Sequence, residues 1–570
     1  MLQRLLHRPA IYSQGLKIAQ ASNTLSVSPL GNTFISARIQ SIYTGSTNVY
    51  GIGGFKRPQT QSPISTRRRQ TGTTMAVSST GVDYTCMMEV SRASKRIVDE
   101  ESALSSPIEL LLLSPGEEVD AWKGTLSQQQ LLWVSSNCFD GEEGNTLCIP
   151  SESGGIKQVV HVVEDPCDIW SYSCLPTALP HGTYKANYSD KGTMSSLSIE
   201  NAISLGWILG TYSFNRYKSS TKPEGSTNAP SLIWPIAEKQ NRDRILALAQ
   251  GIFLARDMIS TPAEHMAPQH IEEEARKLVS LHQGTMNAIV GEDLLKQNYP
   301  AIHTVGRAST NDPRLIDIRW SPSGASNGLP KITLVGKGVS FDTGGLDLKP
   351  PNAMKLMKKD MGGAALVLGL AHAIMATNIP VQLRVLIPAV ENSVAGNAFR
   401  PLDVLQTRAG ITVENGNTDA EGRLILCDAL AEAMTDKPDL ILDAATLTGA
   451  ARVALGTEMP ALFCNNDEVA DGIIKSANDV RDYMWRMPLH KPYKKMINSK
   501  VADIGSCSEG GYAGAITAAL FLQEFVKDAP AWAHVDTMGY NISSKPGRPE
   551  GGEAFALRAL YEYISCKYSQ

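Results

Sequence analysis

Three charged side chains alternate along one short segment of the chain, in the order Asp419, Glu421 and Arg423. The segment lies between a predicted strand and a predicted helix. In an extended backbone, residues two apart point to the same side, so all three side chains face one small space. Two carboxylates in such a space repel each other unless a cation compensates them. The spacing therefore predicts a cation site.

A second segment places further charges at the end of a strand. The buried-looking run Ile332–Val335 continues into Gly-Lys-Gly, which puts Lys337 at the carboxyl end of the strand. Asp342 follows before two glycines, and Lys349 closes the segment. Glycines allow the backbone to approach a ligand closely. The segment is not a phosphate-binding Walker loop, because the four-residue spacer and the Lys-Ser/Thr ending are absent.

A fourth carboxylate, Asp360, directly precedes an apolar helical run. Taken alone, it is explained equally well as a helix N-cap. The combined cluster is Asp342, Asp360, Asp419 and Glu421. Oxygen-rich clusters suit paired divalent ions such as Zn²⁺, Mn²⁺, Co²⁺ or Mg²⁺, and bridging carboxylates hold two metals roughly 3.5–4 Å apart. The alternative is a network of salt bridges between these acids and Lys337, Lys349 and Arg423.

The elements that must position these residues alternate regularly after residue 240. Strands are predicted over 332–335, 383–390, 440–444 and 532–535, and helices over 242–259, 271–281, 362–376, 424–434 and 514–526. This alternation predicts an α/β domain with a mostly parallel central sheet flanked by helices. Ligands of such sheets bind beyond the carboxyl ends of the strands, which is where the charged residues fall.

The part of the chain before this domain has a mixed pattern. Strands are predicted over 108–113, 130–134 and 158–163, a helix over 198–217, and a polar loop or linker over 218–230. No catalytic constellation is evident in it. The predicted organisation is a smaller N-terminal α/β domain over 80–235 and a catalytic domain over 236–570.

The first 75 residues differ in composition from the rest. They contain nine Lys or Arg, nine Ser and nine Thr, and the first acidic residue of the chain is Asp83. An Arg-rich, Ser-rich and acid-free start is typical of an organelle transit peptide. The Leu/Arg start favours targeting to mitochondria, while the Ser and Thr content is also compatible with targeting to a plastid. Initiation at Met75 would give a cytoplasmic form, and a basic tail without targeting value is the alternative to a transit peptide.

Composition excludes several classes of protein. The 570 residues include nine cysteines without a Cys-x-x-Cys pair, which argues against a disulfide framework or a zinc ribbon. His-Glu-x-x-His is absent, and so is any run of 18 apolar residues, which argues against a zincin and against a membrane span. Removal of residues 1–75 changes the net charge from −4 to −13, which argues against a nucleic-acid partner.

Three of these segments together resemble the leucyl (cytosol) aminopeptidase family, the two-metal M17 peptidases. They are Val335–Pro350, Lys358–Ala365 and Asn417–Leu424, and the last (Asn-Thr-Asp-Ala-Glu-Gly-Arg-Leu) is similar to the family signature without a change. Residues 443–450, 514–521 and 532–536 resemble further family segments in the same order. The resemblance covers about 240–565, whereas residues 80–235 match only loosely, as expected of a variable N-terminal domain.

The resemblance implies roles for individual residues. It implies a tighter metal site from Lys337, Asp342, Asp360 and Glu421, and a more exchangeable one from Asp342, Asp419 and Glu421. Lys349 matches a lysine that supports the substrate carbonyl and the oxyanion, and Arg423 matches an arginine that holds a bicarbonate ion acting as general base. Positions that match the pocket for the first side chain are Met357, Thr446 and Gly449, which suggest Leu or Met.

The implied enzyme is a metal-dependent aminopeptidase that releases N-terminal residues from peptides by a two-metal hydrolytic mechanism. Two divalent ions per subunit, Mn²⁺ or Zn²⁺ with Mg²⁺ or Co²⁺ as alternatives, and bicarbonate would serve as cofactors. The resemblance also implies a homohexamer. The competing hypotheses are a DNA-binding protein, a structural oligomer on the same fold, and a two-metal phosphoesterase, which would typically use histidine ligands that these segments lack.

Overall fold

A computed structural model of the chain describes residue 86 and residues 92–103, 106–152, 154–189, 198–219, 229–324 and 328–569. The predicted transit peptide at 1–75 lies outside these residues, as does most of the predicted linker at 218–230. Among the helices in these ranges, none combines the length and the apolar character needed to cross a membrane.

The N-terminal part of the described chain is built on a six-stranded sheet. Its strands are β1 (Ile97–Val98), β2 (Ile108–Leu113), β3 (Thr146–Pro150), β4 (Ile156–Val162), β5 (Thr183–Asn187) and β6 (Ser231–Ile233). They lie in the order β1-β6-β5-β2-β4-β3, and the β3–β4 pair alone is antiparallel. This arrangement confirms an α/β N-terminal domain.

Five helices accompany this sheet, and one of them corrects a strand prediction. They are α1 (Glu117–Lys123), α2 (Gln128–Ser136), α3 (Ile169–Tyr172), α4 (Leu175–Ala178) and α5 (Ile199–Gly210). The run 130–134, predicted as a strand, lies inside α2. Ser127 begins that helix with a capping box, since the amide of Gln130 donates to the Ser127 hydroxyl and the Gln130 side chain accepts from the Ser127 amide. This local capping signal outweighs the apolar run, whose leucines are largely exposed.

The later part of the described chain contains the larger, nine-stranded sheet. Its strands are β7 (Thr285–Val290), β8 (Arg314–Trp320), β9 (Lys331–Gly336), β10 (Gly338–Asp342), β11 (Gln382–Asn392), β14 (Leu440–Ala445), β15 (Ala461–Cys464), β16 (Trp485–Arg486) and β18 (Trp532–Asp536). The order is β16-β15-β18-β14-β9-β11-β8-β7, with β10 beside β11. The five central strands β9, β10, β11, β14 and β18 run parallel, so their carboxyl ends meet at one edge. The prediction of a mostly parallel sheet is confirmed.

The remaining elements flank or extend this sheet. The helices are α6 (Lys239–Ser260), α7 (Pro268–His282), α8 (Asp293–Lys296), α9 (Pro300–Gly306), α10 (Pro351–Met354), α11 (Gly362–Ala376), α12 (Glu421–Ala433), α13 (Gly449–Leu455), α14 (Asp467–Asp479), α15 (Gly514–Gln523) and α16 (Leu557–Tyr568). Short strands form two small sheets: β12 (Val404–Leu405), β13 (Val413–Glu414), β17 (Ile504–Gly505), β19 (Tyr540–Asn541) and β20 (Gly551–Gly552). The 3₁₀ helices include Glu100–Ser102 in the N-terminal part and, later in the chain, Ala263–His265, Met357–Met361, Thr418–Ala420, Met434–Asp436 and Lys491–Ile497.

Helix α11 is held against the sheet by unusually close packing with α6. Gly251 of α6 faces Gly369 of α11, and a β-carbon on either glycine would lie 2.4 Å from the carbonyl oxygen of the other. Helix α11 is apolar on all sides and almost wholly buried, as expected for a helix between a sheet and a second layer. Its fixed position also fixes Asp360, which lies two residues before it in the 3₁₀ helix Met357–Met361; Met361, not Asp360, is the N-cap residue of α11.

Candidate active site

Lys337 stands between β9 and β10, at the carboxyl edge of the central sheet. Its amide donates to the carbonyl of Ala444 at 3.0 Å, and its carbonyl accepts from the amide of Ala364 at 2.9 Å. The backbone is therefore fixed between β14 and α11. Its Nζ donates to the carbonyl of Thr446 at 3.2 Å, which directs the side chain along the ends of the strands.

Two buried carboxylates surround this ammonium group. Nζ of Lys337 lies 2.7 Å from Oδ2 of Asp360 and 3.0 Å from Oε1 of Glu421. Burial works to lower the pKa of Lys337, but the charges of Asp360 and Glu421 outweigh it and the pKa is raised overall. Burial and the charge of Asp342 raise the pKa of Glu421 to about 8. Negative charge is therefore in excess around the lysine.

Lys349 occupies the equivalent position between the other two carboxylates. Its Nζ lies 2.8 Å from Oδ2 of Asp342 and is also paired with Asp419. Burial opposes the charge of Lys349, yet the neighbouring carboxylates raise its pKa overall. The other oxygen of Asp342 accepts from the amide of Gly344 and from Nδ2 of Asn392, both at 2.9 Å. Asp342 is thus oriented by three donors.

Reciprocal hydrogen bonds join the two loops that carry these residues. The amide of Thr418 donates to Oδ2 of Asp347 at 2.7 Å, and the amide of Asp347 donates to the Thr418 hydroxyl at 2.8 Å. That hydroxyl donates to the carbonyl of Gly344 at 2.6 Å, where the glycine has φ +88°. The loop after β10 and the turn before α12 therefore form one unit that fixes Asp342, Asp419 and Glu421 relative to each other.

The donor set fits divalent metal ions. One oxygen from each of Asp342, Asp419 and Glu421 lies within 4.8 Å of the others. Oδ2 of Asp360 and Oδ1 of Asp419 are buried, and each has a lysine ammonium close by but no well-directed hydrogen bond. Burial and the charge of Asp342 raise the pKa of Asp419, a further sign of uncompensated negative charge. Four carboxylates and two lysines leave a deficit of positive charge that cations would fill.

Arg423 projects from the first turn of α12, close behind Glu421. Its Nη1 donates to the carbonyl of Ser506 at 2.7 Å. Its Nε is buried and has no hydrogen-bond partner within the described ranges. A guanidinium group presents its donors in a fixed fork that matches planar oxyanions, so Arg423 fits the bicarbonate role implied by the resemblance.

A cavity of about 630 Å³ collects the predicted residues. Nine of the ten line it: Lys337, Asp342, Lys349, Met357, Asp360, Asp419, Arg423, Thr446 and Gly449. Glu421, the tenth, does not line the cavity, but its carboxylate forms an ion pair with Lys337, which does. The structure therefore brings together residues that are up to 112 positions apart in sequence, as the distance from Lys337 to Gly449 shows.

The cavity also contains residues that the sequence analysis missed. Lys359, Arg452 and Met538 line it. Asn392 does not, but its Nδ2 donates a hydrogen bond to Oδ1 of Asp342. Burial lowers the pKa of Lys359 to about 8, with Asp360 opposing and Arg452 adding to the shift. The sequence contained one signal for Lys359, its position next to Asp360. Nothing in the sequence pointed to Arg452 or Asn392, because the place of Arg452 in the cavity depends on the packing of α13, and the contact of Asn392 with Asp342 depends on the packing of β11.

Comparison with known proteins agrees with this geometry. The model of the cytosol aminopeptidase family catalytic domain matches residues 253–561, and that of the M17 aminopeptidase N-terminal domain matches residues 107–230. A probable cytosol aminopeptidase of Rickettsia bellii is 38% identical over 499 residues, covering 83% of this chain and 99% of that protein.

Solved structures give the same result. The crystal structure of cytosol aminopeptidase from Coxiella burnetii is 42% identical, with a TM-score of 0.76 over 83% of this chain and 99% of that one. The bottromycin maturation enzyme BotP, in complex with Mn, is 29% identical with a TM-score of 0.72 over 81% of this chain and 100% of that one. The chain therefore belongs to the M17 cytosol aminopeptidase family and is a metallo-exopeptidase of the leucyl aminopeptidase type.

Proposed function

We propose that the chain removes N-terminal residues from peptides, with a preference for Leu or Met, and that two divalent ions act in the cavity. Lys337, Asp342, Asp360 and Glu421 would hold one ion, and Asp342, Asp419 and Glu421 the other. The observation that carries this proposal is the convergence of four carboxylates on one buried space with too little positive charge among them. The Mn in the BotP structure supports Mn²⁺ as one of the ions used.

When bound, the metals would supply Lewis acidity for the scissile carbonyl and a lowered pKa for the attacking water, and bicarbonate would supply a general base. The chain itself contributes orientation and fixed charge. Arg423 would hold the bicarbonate through its guanidinium group. Its Nη1 donates to the carbonyl of Ser506, whereas its Nε has no hydrogen-bond partner in the described chain and is free to bind an anion.

Lys349 would donate a hydrogen bond to the carbonyl oxygen as negative charge develops on it. Its side chain is only 13% exposed and lines the cavity, and its ammonium group is fixed by Asp342 on one side and Asp419 on the other. A donor that is already oriented stabilises the transition state without a cost of reorganisation. The carboxylates of Asp342 and Asp419 favour the charged form of this ammonium group.

The first side chain would enter the part of the cavity lined by Met357, Thr446 and Gly449. Met357 offers a flexible apolar contact, which supports a medium-sized apolar residue. Thr446 is fixed there, because its hydroxyl donates to Oδ1 of Asp360 at 2.8 Å. The small Gly449 leaves room beside it.

The test is release of p-nitroaniline from Leu-p-nitroanilide after chelation and again after addition of Mn²⁺, Zn²⁺ or Co²⁺. We expect activity that the metal restores and that is absent with the N-acetylated substrate, because a free N-terminus is required. Equal turnover of the acetylated substrate would contradict exopeptidase specificity. Turnover without bicarbonate at the same rate as with it would remove the general-base role.

We also propose that six copies assemble and that residues 1–75 direct the chain to mitochondria. The family resemblance supports the first, and the acid-free, Arg-rich composition supports the second. Light scattering after gel filtration tests the hexamer, and a fluorescent fusion to residues 1–75 tests targeting. A fusion that collects in a plastid or stays in the cytoplasm would overturn the mitochondrial address.

A further inference from the structure

We propose that the cavity also binds and processes peptides that begin with glutamate, because two cationic side chains on its wall have no carboxylate partner among the residues that the structure describes. This inference rests on the proposed function, since it assumes that the first side chain enters the region of Met357, Thr446 and Gly449. It adds an acidic class of substrate to the apolar class proposed above. The residues that would decide it are Lys359 and Arg452.

Lys359 is a buried lysine that has no counterion in the described part of the chain. It lies in the 3₁₀ helix Met357–Met361, is 3% exposed, and lines the cavity. Within the described chain, its ammonium group has no carboxylate within 4.0 Å and no hydrogen-bond acceptor. By contrast, Nζ of the adjacent Lys358 donates to the carbonyl of Ser260 at 2.6 Å. A buried charge without a partner is unfavourable, so Lys359 gains from an anionic ligand.

Arg452 brings a second positive charge to the same wall. Its Nη1 contacts the sulfur of Met538 at 3.4 Å. A β-carbon on Gly449 would lie 3.4 Å from Nη2, so the guanidinium group adjoins the proposed side-chain pocket. No carboxylate of the described residues lies within 4.0 Å of it. Lys359 and Arg452 both line the same cavity.

The nearest carboxylates are bound by other groups. Oδ1 of Asp536 accepts from the amides of Leu447 and Thr448 at 3.0 and 3.2 Å, and its Oδ2 accepts from the Thr448 hydroxyl at 2.6 Å. Asp360 forms an ion pair with Lys337 and accepts a hydrogen bond from the hydroxyl of Thr446. Neither is paired with Lys359 or Arg452, so the positive charge of these two residues remains available to a ligand in the cavity.

Glutamate fits this arrangement better than other side chains. Its methylene groups would contact Met357 and Met538, and its carboxylate would lie between the two cations. Glutamine has the same size without the charge, so a comparison of the two isolates the electrostatic contribution. A site with buried donors discriminates strongly against a ligand that leaves those donors unpaired or weakly paired.

The experiment compares kcat/KM at pH 7 for Glu-, Gln- and Leu-7-amido-4-methylcoumarin with the full chain loaded with Mn²⁺. We expect Glu to exceed Gln by about 10- to 100-fold, the range for a hydrogen bond to a charged group. Lys359→Met and Arg452→Met should each lower the Glu-to-Gln ratio by about tenfold. The matched control is Lys358→Met, which should leave that ratio unchanged because Lys358 points to Ser260.

The outcomes separate this inference from the proposed function. Hydrolysis of the Leu substrate with Glu no better than Gln would overturn the inference and leave the proposed function intact. No hydrolysis of any of the three substrates would overturn both. If Lys359→Met fails to fold by circular dichroism, the ratio in Arg452→Met decides, since Arg452 is only partly buried. An unchanged ratio in a folded Arg452→Met variant would also overturn the inference.

Discussion

Nζ of Lys337 lies 3.0 Å from Oε1 of Glu421, and both side chains are almost completely buried. The same ammonium group binds Asp360, so one lysine holds two acidic side chains that come from different elements. Glu421 is the first residue of α12, and its carboxylate also lies within 4.8 Å of Asp342 and Asp419. Glu421 thus connects the two halves of the acidic cluster.

We therefore expect Glu421→Gln to abolish activity and to weaken metal binding without unfolding the domain. Loss of a residue that only supports a metal ligand costs about 10- to 100-fold in affinity or activity, so loss of a shared ligand should cost at least about 100-fold. Metal content by mass spectrometry and hydrolysis of Leu-p-nitroanilide are the measurements. Glu273→Gln, an exposed glutamate on α7, is the control. Normal turnover by Glu421→Gln would remove the bridging role.

Lys349→Ala should separate catalysis from metal binding. Because its ammonium group is placed to meet charge on the carbonyl oxygen, its loss should lower kcat by about 100- to 1000-fold, as for a lost oxyanion donor. Metal content should change far less, since all four carboxylates remain. The exposed Lys355→Ala is the matched control. Loss of both metals together with activity would instead make Lys349 structural.

Much of the fold could be predicted because local and tertiary preferences agree. The runs predicted as 108–113 and 362–376 coincide with β2 and α11, since each is apolar except for one residue, Glu109 in the first and His372 in the second. The strand prediction for 130–134 was wrong because periodicity cannot distinguish a short apolar strand from a helix. The Ser127 capping box, which decides the matter, is visible in the sequence.

The site was predictable for a different reason. A charged side chain at the end of a buried strand is unfavourable unless it has a partner of opposite charge or a ligand. Lys337 and Asp342 are therefore conspicuous in the sequence. Arg452 does not, because a charge in an ordinary amphipathic helix needs no explanation. Its significance arises only once the structure shows that it adjoins Gly449 and that no carboxylate of the described residues forms an ion pair with it. Whether Arg452 has an ion-pair partner depends on three-dimensional packing and cannot be inferred from the sequence.

The buried His372 should make the protein less stable in mild acid. Its Nε2 lies 3.1 Å from Oε1 of Gln250, and its Nδ1 lies 3.1 Å from Nε2 of His282. Burial, with a smaller contribution from the charge of His282, lowers the pKa of His372 to about 3. Below the unfolded value of about 6.5, the unfolded chain binds a proton that the native chain does not. Stability should therefore fall as the pH drops from about 6.5 towards 3.

His372→Gln should reduce this loss by about 1 kcal/mol between pH 7.5 and pH 5.5, because one unit below the unfolded pKa corresponds to about 1.4 kcal/mol. The measurement is urea unfolding followed by circular dichroism at the two pH values. His181→Gln, an exposed histidine, should leave the pH dependence as it is in the unaltered chain. The same loss in His372→Gln and in the unaltered chain would show that His372 does not cause it.

Gly422 provides a test of Lys337 that leaves every charged residue in place. A β-carbon on Gly422 would lie 2.5 Å from Cε and 2.7 Å from Nζ of Lys337. Lys337 cannot move away freely, because its stem is buried and Asp360 and Glu421 hold its ammonium group.

Gly422→Ala should therefore displace the Lys337 ammonium group and lower Mn²⁺ affinity and activity by about tenfold or more. Fitting the methyl group against Lys337 should cost about 1–3 kcal/mol, and the helix preference of alanine should offset about 0.5–1 kcal/mol of this, so the free energy of unfolding should fall by at most about 2 kcal/mol. Gly396→Ala is the control, because a β-carbon there would meet no atom within 4 Å. Calorimetric titration with Mn²⁺ measures the affinity directly. If Gly422→Ala binds Mn²⁺ as tightly as Gly396→Ala does, then Lys337 is not a ligand and the tighter site consists of the carboxylates alone.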